Sequence, residues 1–244
     1  MSPDLDLALR LADAADAISL PRYRTELTIE TKPDLTPVTE ADRAVEAEIR
    51  RMLAAERPND AILGEEEGAV GSGSRRWIVD PIDGTRNYAR GIPVWATLIA
   101  LEVDGTVRMG VVSAPALRGR WWAERGGGAF TNGEQMHVSA VGEVEEAVLS
   151  FAIETTVPPL ARYAWHARGL GDFWAHMLVA EGAVDGAVDA DGLSEWDLAA
   201  VQVIVEEAGG RFSDAVGESR IDSGRAITSN GLLHDELLAA VNSA

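Results

Sequence analysis

The segment WIVDPIDGT, residues 77 to 85, joins an apolar run to two aspartates three positions apart, Asp80 and Asp83. Two carboxylates held close together repel each other unless a cation lies between them, and their hard oxygen atoms suit Mg²⁺. The following turn can open a short helix, whose first amides, at Gly84 and Thr85, attract an anion such as phosphate. The segment therefore predicts that a metal ion and a phosphate bind at one turn.

An Asp-Pro-x-Asp-Gly string alone is typical of a solvated turn, so this interpretation depends on other parts of the chain. GEEE at residues 64 to 67 precedes the segment by one loop, and SEWDLAAVQVIVEEAGG at residues 194 to 210 places a distant acid at the start of a helix. We therefore predict one carboxylate cluster, made of Glu65, Asp80, Asp83 and Asp197.

The composition limits the ligands and partners of such a cluster. The chain has no cysteine, so any metal must be bound by oxygen or imidazole. Forty acidic and 21 basic side chains give a formal charge of −19, which repels nucleic acid, acidic membrane surfaces and phosphorylated substrates. We expect no nucleic-acid or membrane partner, and a phosphorylated substrate would need bound cations.

The length and hydropathy of the chain indicate a globular protein. With 244 residues and 46% apolar residues, it can bury a full core. The sequence shows neither an apolar run long enough for a membrane span nor the pattern of a secretory signal. The sequence predicts a cytoplasmic location.

Apolar periodicity and turn signals predict the elements that must position the acids. A helix over residues 5 to 20 should stop at Pro21, and Thr39 should cap a second helix with Asp42 in its first turn. Asp104 and Gly105 should join two strands in a hairpin, and residues 68 to 74 should form a flexible loop. Further helices are predicted over residues 172 to 181, 196 to 208 and 232 to 241, and strands over 61 to 64, 77 to 80, 96 to 103, 106 to 114, 119 to 124 and 147 to 153.

The order of these elements favours one compact unit with two lobes. Residues 1 to 140 are predicted to form an α+β lobe with most metal ligands and the phosphate turn. Residues 141 to 244 are predicted to form an α/β lobe with Asp197 and the substrate-selecting residues.

Three motifs occur in one order: Gly-Glu-Glu at residue 64, Asp-Pro-Ile-Asp-Gly-Thr at residue 80, and Trp-Asp-x-Ala-Ala at residue 196, leading to Glu-Ala-Gly-Gly. With PVTEAD, GAFTNG and the terminal SNG, they make the sequence resemble the inositol monophosphatase family over nearly its whole length. The resemblance implies an α/β layered sandwich of the inositol monophosphatase and fructose-1,6-bisphosphatase type, with alternating helix and sheet layers. It also implies a magnesium-dependent phosphatase that forms a homodimer.

The resemblance further implies roles for individual residues, with two or three Mg²⁺ ions per site. Glu65, Asp80 and the carbonyl of Ile82 would hold one ion, and Asp80, Asp83 and Asp197 a second. Asp42 and Thr85, with Glu65, would position the attacking water, and the Gly84 and Thr85 amides would bind the phosphate. Lys32 would belong to a loop that closes the site.

Longer strings, among them TKPDLTPVTEADRAVE and WWAERGGGAF, are similar to the bacterial histidinol-phosphatase branch of the family. L-Histidinol phosphate carries an amine and an imidazole, so acids at the variable end of the pocket would favour it over a neutral polyol phosphate. The candidates for substrate binding are Asp172, Asp189 and Asp197.

Other interpretations stay open at this point. Asp172 can cap the following helix instead, and Asp191 can replace Asp189 in the pocket. The substrate can be inositol 1-phosphate or another sugar or nucleotide phosphate, and a relative without activity can act as a binding or regulatory subunit. Four histidines lack a metal-binding spacing and are assigned structural or surface roles, namely His137, His166, His176 and His234.

Overall fold

The computed structural model describes residues 1–32, 36–152, 159–189 and 192–243. Ile153, at the end of a predicted strand, and Asp191, the alternative to Asp189, lie outside the described residues. Within these ranges, the α-helices are α1 Pro3–Arg22, α2 Glu40–Glu56, α3 Thr85–Arg90, α4 Asp172–Ala180, α5 Glu195–Glu207 and α6 His234–Asn242. The first strands are β1 Ile29–Thr31, β2 Pro37–Thr39, β3 Ala61–Gly64, β4 Gly68–Val70, β5 Arg75–Asp83, β6 Ala96–Val103, β7 Thr106–Ala114 and β8 Gly119–Glu124. The remaining strands are β9 Gly128–Thr131, β10 Glu134–Met136, β11 Val148–Phe151, β12 His166–Arg168, β13 Gly186–Val188, β14 Arg211–Ser213 and β15 Ile227–Ser229.

The strands of the described residues form two large sheets and one small pair. The larger sheet has eight strands in the order β10-β9-β8-β7-β6-β5-β3-β4, in which β3 and β5 run parallel. The second sheet has five strands in the order β12-β11-β13-β15-β14. Strands β1 and β2 pair separately. Because β3 and β5 are parallel, their carboxyl ends, which carry the predicted acids, meet at one edge of the larger sheet.

Alternating side chains of β5 face two different cores. Trp77 and Val79 pack with α1 and α2 on one face of the larger sheet, whereas Ile78 packs with α4 and α5 on the other. The inner core also contains Ala187 and Phe212 of the five-stranded sheet, whose opposite face packs against α6. The layers therefore alternate between helices and sheets, and the predicted layered α/β sandwich is confirmed.

Several local predictions are confirmed by the backbone. Thr39 caps α2 in a capping box with Asp42, the third residue of the helix. Asp104 and Gly105 both have positive φ, at 51° and 75°, as a two-residue hairpin turn requires. Gly84 and Thr85 open the short helix α3.

Two local predictions are wrong. Helix α1 continues through Pro21 to Arg22, since the fixed φ of proline is itself helical; the ring removes one hydrogen bond within the helix, which ends one residue later. The predicted loop after Glu67 begins with strand β4, which pairs with β3 in the register Ile62↔Val70. The strand consists of Gly68, Ala69 and Val70, and its glycine and alanine have a low local propensity for strands.

The predicted lobe boundary at residue 140 stays a prediction. The larger sheet ends at Met136 and the five-stranded sheet begins at Val148, but both sheets bury side chains in the core around α4 and α5. In the part of the chain that the structure describes, no helix is both long and apolar enough to cross a membrane.

Candidate metal and substrate site

A cavity of about 650 Å³ lies where the carboxyl ends of β3 and β5 meet the first turns of α3, α4 and α5. It brings together acids that are far apart in the sequence. Its wall contains Glu65, Asp80, Asp83, Asp172, Asp189 and Asp197, together with Ile82, Gly84, Thr85 and His176.

Strand β5 delivers Asp80 and Asp83 to the same cavity through an irregularity in its pairing with β6. The register shifts between these two residues, and Pro81 follows directly after Asp80. Asp80 Oδ1 accepts a hydrogen bond from the Ile82 amide at 2.9 Å, and Asp83 Oδ2 accepts one from the Phe173 amide at 2.7 Å. The strand therefore presents both carboxylates to one point, and the start of α4 holds the second.

Asp197 reaches this point from another element, at the third position of α5. It forms a capping box with Ser194, whose amide donates to Asp197 Oδ2 at 2.6 Å. Among the described residues, one carboxylate oxygen from each of Asp80, Asp83 and Asp197 lies within 4.8 Å of the others. These hard oxygen atoms are of the type that Mg²⁺ prefers, so the donor set fits this ion.

The three carboxylates hold protons more tightly than exposed acids do. Burial raises the pKa of Asp80 and of Asp83 well above the ordinary value, and repulsion between neighbouring carboxylates adds to both shifts. Burial likewise raises the pKa of Asp197 to about 7. A bound cation would remove the repulsion and favour the ionised forms.

Glu65 lies in the same cavity but outside the group of three carboxylates. Its Oε1 atom is 2.8 Å from Nζ of Lys32, which is also 2.6 Å from Glu66 Oε1. Two more acids follow Glu65 in the chain. The side chain of Glu66 is buried, whereas the side chain of Glu67 is exposed. Lys32 thus contacts the candidate metal ligand directly.

The loop that carries Glu65 is held by a buried ion pair on α2. The carboxylate of Glu46 accepts hydrogen bonds from the amides of Glu66 and Glu67, at 2.8 and 3.0 Å, and from Arg50 Nε at 2.8 Å. Gly64 lies so close that a Cβ atom there would overlap the Glu46 carboxylate. The sequence analysis did not identify Glu46, although its position four residues after Asp42 on the same helix could have indicated a role at the site.

Asp42 and Thr85 form a pair beside the cluster. Thr85 Oγ1 lies 3.1 Å from Asp42 Oδ1 and 2.9 Å from the carbonyl oxygen of Ile82. Asp42 is fully buried, and burial raises its pKa. The other carboxylate oxygen of Asp42, Oδ2, accepts a hydrogen bond from the backbone amide of Thr39 at 2.9 Å. The predicted catalytic pair is therefore in contact, and Thr85 reaches the carbonyl that was predicted as a metal ligand.

Gly84 occupies a position that only glycine fits. It precedes α3 with φ of 79°, and a Cβ atom there would lie 2.9 Å from the carbonyl oxygen of Val94. The first amides of a helix have no partners within the helix, so those of Gly84 and Thr85 can bind an anion at the edge of the cavity.

Asp172 does not cap α4 with its side chain. Gly171 is the N-cap residue, and the Asp172 carboxylate accepts a hydrogen bond from Asn87 Nδ2 at 2.9 Å. Asp172 has a positive φ of 49°, which aspartate tolerates better than most residues. It thereby lies in the cavity wall beside Gly84.

Asp189 follows β13 and contacts a histidine in the same wall. Asp189 Oδ2 is 2.6 Å from His176 Nε2, and His176 Nδ1 is 2.7 Å from Thr228 Oγ1. The assignment of His176 to a purely structural or surface role is therefore incomplete, because its ring lines the cavity. Of the other histidines, His234 is buried away from the cavity, whereas His137 is exposed.

Comparisons with known proteins agree with this geometry. The profile of the inositol monophosphatase family matches residues 1–244. The histidinol-phosphatase of Mycobacterium tuberculosis is 50% identical, with 98% of each chain covered. An IMPase of Thermotoga maritima has a TM-score of 0.92 at 35% identity, covering 99% of this chain and 98% of its own.

A third relative, solved as an IMPase/NADP phosphatase complexed with Mg²⁺ and phosphate, has a TM-score of 0.87 at 26% identity. It covers 99% of this chain and 95% of its own. The family is metal-dependent, and this agrees with the hard oxygen donors around the cavity. The chain is a phosphoric monoester hydrolase and belongs to the inositol monophosphatase family.

Proposed function

We propose that this phosphatase hydrolyses L-histidinol phosphate to L-histidinol and phosphate, as a step of histidine biosynthesis, and that it requires Mg²⁺. The proposal depends chiefly on one observation, that a single cavity joins the carboxylate cluster to two further acids, Asp172 and Asp189. The identity to a histidinol-phosphatase over nearly the whole chain supports the same substrate.

The carboxylates are proposed to hold two or three Mg²⁺ ions. Glu65, Asp80 and the Ile82 carbonyl would bind one, and Asp80, Asp83 and Asp197 another. Bound Mg²⁺ would acidify the attacking water and neutralise charge on the phosphate and the leaving oxygen. A dianionic ester is otherwise repelled by these acids and by the formal charge of −19.

The residues around the metal ligands are proposed to place the reacting groups. Asp42 and Thr85, which contact each other, would orient the attacking water together with Glu65. The Gly84 and Thr85 amides would bind the phosphate oxygens at the start of α3. Lys32, which contacts Glu65, would hold its loop against the site.

The organic part of the substrate would occupy the side of the cavity near α4. Histidinol phosphate carries an amine, and its imidazole can also be protonated, so ionised Asp172 and Asp189 would attract it. A neutral polyol phosphate would gain no such attraction. The two acids are therefore proposed to determine substrate preference.

The first test is phosphate release from four esters: histidinol phosphate, inositol 1-phosphate, fructose 1,6-bisphosphate and adenosine 3′,5′-bisphosphate. Each is measured with Mg²⁺ and with EDTA. We expect a strong preference for histidinol phosphate that EDTA abolishes. Metal-dependent turnover that favours another ester would agree with the phosphatase activity but refute histidinol phosphate as the substrate. Absence of any turnover would favour a binding or regulatory role.

We further propose a cytoplasmic homodimer. Tyr163 and Trp165 are 65% and 71% exposed, and large aromatic side chains exposed at a surface are typical of an interface. Sedimentation of the wild-type protein and of Trp165→Ser tests this proposal. We expect a dimer that the substitution weakens, and a monomeric wild-type protein would refute it. Cell fractionation tests the location.

A further inference from the structure

His176 lies on α4 and is only 1% exposed, and both of its ring nitrogens have polar partners. Nε2 contacts Asp189 at the cavity, and Nδ1 contacts Thr228 on β15. We propose that His176 is a positioning residue, which orients Asp189 to bind the cationic part of the substrate. This inference rests on the proposed function, since it concerns how the same site selects its ester.

The chemistry of the partners fixes the hydrogen on the ring. An ionised carboxylate only accepts hydrogen bonds, so Nε2 must carry the hydrogen that it donates to Asp189 Oδ2. Nδ1 pairs with the Thr228 hydroxyl, which can donate or accept. The ring therefore holds the Asp189 carboxylate through Oδ2, in the wall of the cavity where a cationic group would bind.

Three elements hold this arrangement in place. Thr228 pairs with Ala187 of β13, two residues before Asp189, so the hydroxyl lies on the strand beside the one that Asp189 follows. The Asp189 amide donates to the carbonyl of Ala226 at 2.9 Å, which fixes the backbone where β13 ends. His176 spans from α4 to both strands, and the carboxylate has little freedom to rotate.

The hydrogen bonds of His176 lie on the substrate-selecting side of the cavity. His176 contacts Asp189 and Thr228, and no hydrogen bond joins it to the Asp80, Asp83 and Asp197 cluster. Loss of its hydrogen bond would let Asp189 rotate away from the cation without removing a metal ligand. The expected effect is a loss of preference between esters, which a residue that only supports the fold would not show.

Two substitutions at this position separate the two ring contacts. The amide of a His176→Asn variant lies near the position of Nδ1, so it can keep the contact with Thr228 but not the one with Asp189. The longer His176→Gln variant can place its amide nitrogen near Nε2 and restore a donor to Asp189. His234→Gln is the matched control, because His234 is equally buried and contacts two serine hydroxyls, but it does not line the cavity.

The readout is kcat/KM for histidinol phosphate divided by kcat/KM for inositol 1-phosphate, at saturating Mg²⁺. Loss of a hydrogen bond to a charged group lowers binding by about 10-fold or more, so His176→Asn should reduce this ratio by about that factor. His176→Gln should retain most of the ratio, and His234→Gln should leave it unchanged. Asp189→Asn should reduce it at least as much as His176→Asn.

Other outcomes contradict either this inference or the proposed function. A wild-type enzyme without preference for histidinol phosphate refutes the proposed function, and the inference with it. If the wild-type enzyme prefers histidinol phosphate and the His176→Asn variant keeps the same preference, the inference is refuted but the proposed function is not. Equal loss of activity on both esters also refutes it, because that result indicates a structural role.

Discussion

Asp83 accepts a hydrogen bond from the first turn of α4 while its side chain faces the carboxylates of Asp80 and Asp197. At the scale of single residues, the site is an arrangement of buried and half-buried like charges that are each held by a backbone amide. Such an arrangement is unfavourable for the ionised forms by itself and becomes favourable with a cation. Two predictions follow from this balance.

Asp83→Asn should lower kcat by more than about 100-fold, since even changes next to a metal ligand cost 10- to 100-fold. The substitution removes a metal ligand at nearly constant volume, so the circular dichroism spectrum should not change. Without metal the Tm should not fall, because one repulsive charge is lost. Asp104→Asn, in an exposed turn, is the control. Retained activity of Asp83→Asn would refute the metal assignment.

The stability of the metal-free protein should fall as the pH rises from about 4 to about 7. The pKa of Asp197 is raised to about 7 in the folded chain, whereas an unfolded aspartate titrates near 4. The folded state therefore binds more protons in this interval, and stability decreases with pH. Thermal melting in EDTA of wild type and Asp197→Asn measures this effect. The Tm of the variant minus the Tm of wild type should increase as the pH rises. A difference that stays constant with pH would contradict the raised pKa of Asp197.

At the scale of elements, helix α2 serves the site at two positions four residues apart. Asp42 contacts Thr85, and Glu46 binds the amides that follow Glu65. One face of this helix therefore sets the geometry of a catalytic pair and of a metal-ligand loop. Glu48 and Arg51 form a comparable pair on an exposed face of α2.

Glu46→Gln should raise the Mg²⁺ concentration for half-maximal activity by about 10- to 100-fold, the range for residues that orient metal ligands. The two loop amides bind different oxygens of Glu46, and a glutamine replaces one of these oxygens with an NH₂ group that only donates. Activity at saturating Mg²⁺ should recover in large part, because no metal ligand is lost. Glu48→Gln should behave as wild type. Equal behaviour of the two variants in a Mg²⁺ titration would show that Glu46 does not position Glu65.

Elements with a local signal could be predicted from the sequence, and those set by distant contacts could not. The Asp104-Gly105 hairpin and the Thr39 cap depend on a few adjacent residues. Strand β4 depends on pairing with β3, which its glycine-rich sequence does not signal. Helix α1 passes Pro21 because the proline falls in its last turn, and sequence alone does not fix where that turn lies.

The same division holds for the site. Motifs indicated Glu65, Asp80, Asp83 and Asp197, and the structure brings all four into one cavity. His176 was missed because its partners are 13 and 52 residues away and meet only through the packing of α4 on β13 and β15. Its sequence neighbourhood contains no signal of either contact.

At the scale of the whole molecule, α4 and α5 lie between the two large sheets, and the cavity opens at their first turns. Gly110 on β7 shows how close this packing is. A Cβ atom there would lie 2.7 Å from Cα of Ala200 and 2.9 Å from Cγ1 of Val203 on α5. The position of Asp197 at the start of α5 therefore depends on contacts along the length of the helix.

Gly110→Ala should destabilise the protein by about 1–3 kcal/mol, the usual cost of overpacking a core. Urea unfolding measures this difference in the free energy of unfolding. Gly142→Ala is a suitable control, because a Cβ atom at Gly142 meets open space. If both variants had the same stability as wild type, α5 would not be held against β7 as closely as described.

Asp42 and Asp197 each occupy the third position of a helix and complete its capping box. In a capping box the third residue accepts the amide hydrogen of the N-cap residue, so replacement by alanine at either position weakens a helix as well as the site. Asp83 also supports a helix, because it accepts a hydrogen bond from the amide of Phe173 in the first turn of α4. In a descendant lineage released from selection for hydrolysis, all three aspartates would thus persist as markers of a lost activity.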